Sequence, residues 1–247
     1  MKPVVSAVIQ ARMGSKRYPE KVLQPLEKEP LIAHVLKRTR CIKNLDRIVL
    51  AIPDTLENEP LADFGKKLGI EIVAGPEEDV LERYILAGTV AEADHVLRIT
   101  GDNPLTDPHI ADLILGHHLK TNSDYTILAD AVPQGIASEA TRLDTLRQIA
   151  RVAKKNRYRE HVTTFFHEHP ENYRISKIPA PHYLRNKSFR LTVDTAEDFA
   201  LMENLYGQFY KLDSIVDLKK VIPYLENHPE VAKLNSNIVQ KDWRIEE

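Results

Sequence analysis

Val4-Val5-Ser6-Ala7-Val8-Ile9 runs straight into Gln10-Ala11-Arg12-Met13-Gly14-Ser15-Lys16-Arg17-Tyr18-Pro19-Glu20-Lys21. The first six residues read as a buried strand. The loop after them crowds four cations, Arg12, Lys16, Arg17 and Lys21, around one glycine. In an open α/β sheet, ligands bind outside the carboxyl ends of the strands. A basic loop there, with a Gly and a Ser to expose backbone N–H groups, suits a polyphosphate. Arg12 and Lys21 would grip a triphosphate, and Gly14 would let the backbone approach it. A solvated basic turn has the same composition. The loop is neither a P-loop, since the upstream Gly and following Ser/Thr are missing, nor a G-x-G-x-x-G fingerprint.

Outward from this loop, strand and helix alternate. Strands are expected at Arg47–Ile52, Ile70–Ala74, His95–Ile99 and Tyr125–Leu128. Helices are expected at Pro30–Ile42, Leu56–Leu68 (closed by Gly69), Glu77–Ala93 and Pro108–Lys120. That rhythm predicts a mostly parallel sheet flanked by helices, an α/β fold. The rhythm changes after Leu128. Pro133–Ala140 reads as a strand or extended loop, Leu143–Ala153 and Tyr158–His167 as helices, and Tyr173–Lys177 and Phe189–Val193 as strands. Thr195 is placed to cap a helix over Ala196–Tyr206; Ile215–Glu226 is a last helix before a polar tail. With no linker or repeat, one domain is expected over residues 1–247, with residues 129–188 as an inserted α+β lobe.

Composition narrows the function classes. A formal net charge of −2 gives no whole-chain case for nucleic acid or a membrane surface, so any basic site is local. The single cysteine, Cys41, excludes an intramolecular disulfide and a Cys-based zinc site. Its helical spacing places it in the core. The apolar N-terminus is cut short by Arg12 and matches neither a signal peptide nor a membrane span, so a cytoplasmic protein is expected.

Two acids follow apolar strands. In Arg98-Ile99-Thr100-Gly101-Asp102-Asn103-Pro104-Leu105, Asp102 sits past a central strand. Asp107-Pro108 already looks like the cap of the next helix, which leaves Asp102 free. A carboxylate there suits Mg²⁺, which binds through one or two carboxylates plus substrate phosphates. Asp194, in Arg190-Leu191-Thr192-Val193-Asp194-Thr195, is either a second ligand or part of a cap. Asp79 and Arg83 have the spacing of a surface salt bridge. The histidine-rich run from Arg159 to His169 tempts a zinc assignment. However, His161 and His167 stand six apart, not four as in H-E-x-x-H. Arg159 and His161 remain substrate-facing candidates.

Together these segments resemble the CMP-sugar synthetases. Gln10-Ala11-Arg12-Met13-Gly14-Ser15 with Arg17, Pro19 and Lys21 is similar to that superfamily's opening signature. Asp79-Val80-Leu81-x-Arg83-Tyr84, Arg98–Leu105, Arg159-Glu160-His161-Val162-Thr163 and Thr192–Phe199 follow in order and look like its spore-coat polysaccharide (SpsF-type) branch. Lys16, Tyr18 and Glu20 stand where the family usually has Thr, Leu and Gly, and Ala137 where the branch commonly has an acid. The resemblance implies the nucleotide-diphospho-sugar transferase (GT-A-like) fold, CTP as nucleotide and Mg²⁺ as cofactor. It implies nucleotide contacts at Ala11, Arg12, Gly14, Ser15, Lys21, Arg83 and Thr100, with Arg12, Lys21 and Asp102 in catalysis. Asp102 and Asp194 would hold the metal. Glu139, Arg159 and His161 would meet the acceptor, an acidic sugar or a phosphorylated small molecule, in a homodimer. The expected reaction is CMP transfer with release of pyrophosphate, in surface polysaccharide biosynthesis. The alternatives are a glycosyltransferase consuming a nucleotide sugar, or a nucleotide-binding protein without chemistry.

Overall fold

A computed structural model describes residues 2–212 and 214–239. In chain order the elements are β1 (Val5–Gln10), the hairpin β2 (Pro25–Leu26) and β3 (Glu29–Pro30), α1 (Leu31–Arg40), β4 (Arg47–Pro53), α2 (Glu59–Lys67), β5 (Glu71–Gly75), α3 (Val80–Val90), β6 (His95–Thr100) and α4 (Pro108–Thr121). Then come β7 (Tyr125–Leu128), β8 (Glu139–Arg142), α5 (Leu143–Val152), α6 (Asn156–Glu160), α7 (Thr164–Glu168), β9 (Ile175–Ile178), α8 (Ala196–Phe209), α9 (Leu218–Asn227) and α10 (Pro229–Ala232). Seven strands form one sheet in the order β5-β4-β1-β6-β8-β7-β9. Its first four strands are parallel, and β8 runs against both β6 and β7. The segment 129–188 thus supplies strands to the main sheet, β8 between β6 and β7 and β9 at the edge.

Side chains alternate across a strand, so β1 feeds both faces. Val5, Ala7 and Ile9 pack with α1, α4, α8 and α9; Val8 packs with α3, α5 and the aromatic residues of α6 and α7. The register is what places the site. Gln10 of β1 pairs with Ala51 of β4 and Thr100 of β6, so the loops after these strands emerge side by side.

The helix starts follow from their caps. Asp107 accepts from the backbone N–H groups of His109 and Ile110, with Pro108 at the first helical position. Thr195 and Asp198 form a reciprocal capping box on α8. Gly69 closes α2 at φ +68°. Helix α2 begins only at Glu59, after a 3₁₀ turn over Leu56–Asn58.

Three expectations need correction. Tyr158–His167 is two short helices, broken where His161 leaves helical dihedrals at φ −104°, ψ 80°. Tyr158, Val162 and Phe166 are all buried on one face, so apolar spacing could not distinguish one helix from two. Residues 189–193 form no ladder: Arg190 makes an isolated parallel bridge with Gln134, and the chain bends at Thr192. Their backbone is satisfied by loops instead, with Leu191 N–H donating to Gln134 and Val193 N–H to Asp102. Cys41 is exposed, because it caps the C-terminus of α1 rather than continuing its buried face. Of the polar tail, α10 and Asn235 are ordered against α8 and α9, and residues 240–247 lie outside the described residues. No helix among the described residues is long and apolar enough to cross a membrane.

Under the β6–α4 contact, His95 Nδ1 lies 3.0 Å from His118 Nε2, and His118 Nδ1 lies 2.9 Å from Thr126 Oγ1. Burial, with the neighbouring His95 second, pushes His118 down to about 3. Its folded pKa is therefore below the unfolded value near 6.5, and the unfolded chain takes up the proton first as pH falls. Stability is full above about pH 6.5 and is lost toward the folded pKa, by up to about 1.4 kcal/mol per pH unit. Urea unfolding of the wild type should show a lower midpoint at pH 5 than at pH 7. The fall should be smaller in His118→Gln, although that variant starts from a lower stability at pH 7.

Candidate active site

The basic loop is held from within. Ala11 N–H donates to Ala51 O at 3.1 Å, and Met13 N–H to the buried Asn58 Oδ1 at 2.9 Å. Ser15 and Glu20 N–H then both bond back to Met13 O, at 2.8 and 3.0 Å. The buried Met13 is thus the loop's pivot. Around it Arg12, Ser15, Lys16 and Arg17 face an open cavity of about 510 Å³. Gly14 does not line that cavity. A Cβ there would meet the Glu57 carboxylate at 3.1 Å, so its bareness serves packing on the far side of the loop.

Two glycines bring the other walls in. Gly101 N–H donates to Gln10 O at 2.7 Å, and a Cβ on it would stand 2.7 Å from Ala11 Cβ and 3.0 Å from Gln10 O. Only glycine lets the loop after β6 cross so close to the exit of β1. Gly135 takes φ +91°, and a Cβ there would lie 2.5 Å from Leu191 O. This crossing sets Gln134 and Thr192 on the cavity wall.

At the meeting point Lys21, 7% exposed, donates to Asp102 Oδ2 (2.8 Å), Asp194 Oδ1 (2.9 Å) and Val193 O (2.7 Å). Asp194 Oδ2 is also paired with Arg17 at 3.0 Å and Arg190 at 2.7 Å. Burial opposes the Lys21 charge, but Asp102 and Asp194 outweigh it and raise its pKa. Burial likewise opposes the Asp194 charge, and Lys21, Arg17 and Arg190 together hold its pKa low. Behind this layer, the fully buried Asp198 accepts from Arg190 Nε and Nη2, from Asp194 N–H and Thr195 N–H, and from Asn235 Nδ2.

The remaining residues divide into two groups. Ala11, Arg12, Ser15, Lys21, Arg83, Thr100, Asp102, His161 and Asp194 all line the cavity. Arg83 is not paired with Asp79 as its spacing suggested. It donates to the carbonyls of Pro76 (2.5 Å) and Glu77 (2.7 Å), and its buried Nε has no partner among the described residues. Burial lowers its pKa, and the nearby Arg12 charge adds to the effect. Asp79 instead caps α3 and pairs with Arg159 at 3.2 Å. Glu139 and Arg159 do not line the cavity. Glu139 is bound by Arg98 at 2.9 Å, Tyr125 at 2.7 Å and Thr163 at 3.1 Å. Burial raises its pKa, but Arg98 leads a larger lowering. Arg98 itself, and Gln10, Asn103, Gln134, Glu160 and Thr192, line the cavity without having been assigned a role. For Arg98 the available signal was a cation inside an otherwise apolar strand.

Asp102 and Asp194 are close enough to share one ammonium. Two hard oxygen donors fit Mg²⁺, which takes one or two carboxylates and completes its shell with phosphates and water. No cluster of three His, Cys, Asp or Glu side chains that could hold a metal occurs among the described residues. Asp102 and Asp194 would supply part of a coordination shell, the rest coming from phosphate and water.

The family model described as Cytidylyltransferase matches residues 6–238. The spore coat polysaccharide biosynthesis protein SpsF of Bacillus subtilis is 35% identical over 230 residues, 91% of this chain and 95% of that protein. An 8-amino-3,8-dideoxy-manno-octulosonate cytidylyltransferase of Shewanella amazonensis is 36% identical over 107 residues, 42% of this chain and 43% of that one. A cytidylyltransferase structure from Leptospira borgpetersenii superposes with a TM-score of 0.86 at 25% identity, covering 96% of this chain and 99% of that one. The chain belongs to the cytidylyltransferase family, in the superfamily of the CMP-sugar synthetases and on its SpsF branch.

Removing Asp198 would leave Arg190 with a buried charge and unpin Asp194. Asp198→Ala should cost about 3–5 kcal/mol, the scale of breaking a buried pair by deleting one partner. Urea unfolding at neutral pH measures it; a loss below about 1 kcal/mol would show that the network carries little stability.

Proposed function

We propose that this protein transfers CMP from CTP to an acidic sugar, or a related phosphorylated acceptor, with release of pyrophosphate, in surface polysaccharide biosynthesis. The observation that carries the reading is the cavity at the carboxyl ends of β1 and β6. There a cation-rich loop faces two convergent carboxylates, in a chain of the cytidylyltransferase family. The relatives named for spore coat polysaccharide and for an octulosonate, an acidic sugar, support the direction of the assignment.

In this reading an acceptor hydroxyl oxygen attacks the α-phosphorus of CTP and gives up its proton to solvent water. The new O–P bond forms as the bond to the β-phosphate oxygen breaks, and pyrophosphate leaves. Arg12, Ser15, Lys21 and Arg83 face the triphosphate, with Ala11 and Thr100 beside it. Arg12 and Lys21 stabilise charge on the departing pyrophosphate, where fixed cations aimed at developing charge contribute most. Asp102 and Asp194 would hold Mg²⁺, which when bound supplies charge stabilisation at the phosphate oxygens. His161 faces the acceptor directly. Glu139 acts through Arg98, and Arg159 through Asp79 and the start of α3. Residues 1–247 act as one domain, with residues 129–188 shaping the acceptor end, in a cytoplasmic homodimer.

The test is pyrophosphate release with Mg²⁺, comparing CTP with ATP, GTP and UTP against nonulosonic acids, 3-deoxy-octulosonic acids and phosphorylated polyols. Release with CTP that depends on one acceptor is expected. Sugar transfer from a nucleotide sugar without pyrophosphate would instead make the protein a glycosyltransferase. Asp102→Ala should keep its circular dichroism spectrum and lose about 100-fold or more in turnover, the scale of deleting a transition-state charge contact. A wild-type rate in that variant would sink the metal assignment.

A further inference from the structure

The triphosphate reading of Lys21 and the metal reading of Asp102 and Asp194 meet in one place, because the three side chains hold one another. An ammonium has three protons to donate. Those of Lys21 go to Asp102 Oδ2, Asp194 Oδ1 and Val193 O, at 2.8, 2.9 and 2.7 Å. No donor is left for a phosphate. The carboxylate oxygens that would bind a divalent ion are already neutralised by a buried cation.

We propose that Lys21 is a resident placeholder in the divalent-cation site, which it vacates only when a triphosphate draws its ammonium out. The ligand this site takes is therefore the cation–nucleotide complex, not the free metal ion. The inference rests on the cytidylyltransferase reading above.

Lys21 and a divalent ion compete for the same carboxylate oxygens. A divalent ion on the same oxygens would stand a few ångströms from the ammonium, so both cannot stay. A metal ion arriving alone gives Lys21 no acceptor for its three displaced bonds, and charge-assisted bonds are the costly ones to lose. A triphosphate supplies those acceptors. Lys21 lines the cavity, and its ammonium rides on a flexible four-carbon stem, so it can turn without moving the loop. The Asp194 carboxylate and the Asp102 backbone are anchored independently of it. Asp194 Oδ2 is held by Arg17 and Arg190, which leaves Oδ1 to face Lys21. The Asp102 backbone is fixed through Val193 N–H to Asp102 O at 2.9 Å and through the neighbouring Gly101 N–H to Gln10 O at 2.7 Å. Withdrawing the ammonium therefore uncovers one carboxylate already fixed, that of Asp194, and a second, that of Asp102, on a fixed backbone.

Binding of Mn²⁺, a paramagnetic stand-in for Mg²⁺, tests this directly by electron paramagnetic resonance, with and without CTP and with no acceptor present. Wild type should bind Mn²⁺ weakly alone and at least about tenfold more tightly with CTP, within the usual range of coupling between sites. Lys21→Met should bind Mn²⁺ alone at least about tenfold more tightly than wild type, and its coupling to CTP should shrink. Equal Mn²⁺ affinity in Lys21→Met and wild type, or tight nucleotide-independent binding by wild type, would overturn the proposal. Should Lys21→Met fail to fold, the wild-type Lys21 ammonium signal in ¹⁵N NMR decides. It should move on adding Mg²⁺ with CTP and stay put with Mg²⁺ alone; a signal unmoved by both overturns the idea. CTP binding is read in the same titrations. Absence of CTP binding would count against the cytidylyltransferase reading itself, whereas CTP binding uncoupled from the metal would overturn only this inference.

Discussion

The bonds from Lys21 to Asp102, Asp194 and the Val193 carbonyl join three parts of the chain that are far apart in sequence. One partner comes from the loop after β1, one from the loop after β6, and two from the segment that enters α8. Each bond is charge-assisted or made to a buried carbonyl, and the ammonium is almost wholly shielded from water. Burying such a group is costly unless all its protons are satisfied. The interaction therefore adds a polar tie among the three loops to the backbone bonds, Val193 N–H to Asp102 O and Gly101 N–H to Gln10 O, that already hold them. Lys21, Asp102 and Asp194 themselves line the cavity, and Thr100 and Thr192 line it within two residues of these partners.

That convergence is possible because of backbone geometry further down. The parallel pairing of β1 with β6 brings Gln10 level with Thr100, so both strands end at the same height. From there the β6 loop must cross the β1 exit at near contact, and Gly101 permits it. On the opposite wall Gly135 does the same for the crossing of residues 190–192. The antiparallel insertion of β8 then places Glu139 against Arg98, which neutralises a cation on the cavity floor. Sheet register, two glycines and one reversed strand thus set the site before any ligand is considered.

Much of this was legible in the sequence where a residue's role depends on its own neighbours. The parallel strands, the Asp107-Pro108 and Thr195 caps and the cation-rich loop are local patterns, and they appear as read. Asp102 stood out because the cap it might have formed was already supplied by Asp107. Roles set by distant partners were not legible. Arg83 has the spacing of an Asp79 salt bridge, yet Asp79 turns to Arg159 and its own helix start. Glu139 and Arg159 have the right charge for acceptor contacts but are engaged behind the cavity wall. Phe189–Val193 has the composition of a strand and is buried like one, but its backbone partners are loops. Sequence shows which charges exist; the fold decides which of them meet.

The distribution of charge around the cavity carries the argument one step further. Lys21, Arg17 and Arg98 line it already paired with Asp102, Asp194 and Glu139. Arg12, Lys16 and Arg83 line it with no carboxylate within ion-pair distance among the described residues. Arg83 is moreover buried, with an unsatisfied Nε and a second guanidinium close enough to disfavour its charge. Keeping like charges together in a partly buried site costs stability, and a polyanion between them would offset that cost. These unpaired cations lie on the β1 loop and the start of α3, whereas His161 and Glu160 lie at the end of α6. The part of the cavity lined by the β1 loop and the start of α3 is therefore the part that most favours a polyanion.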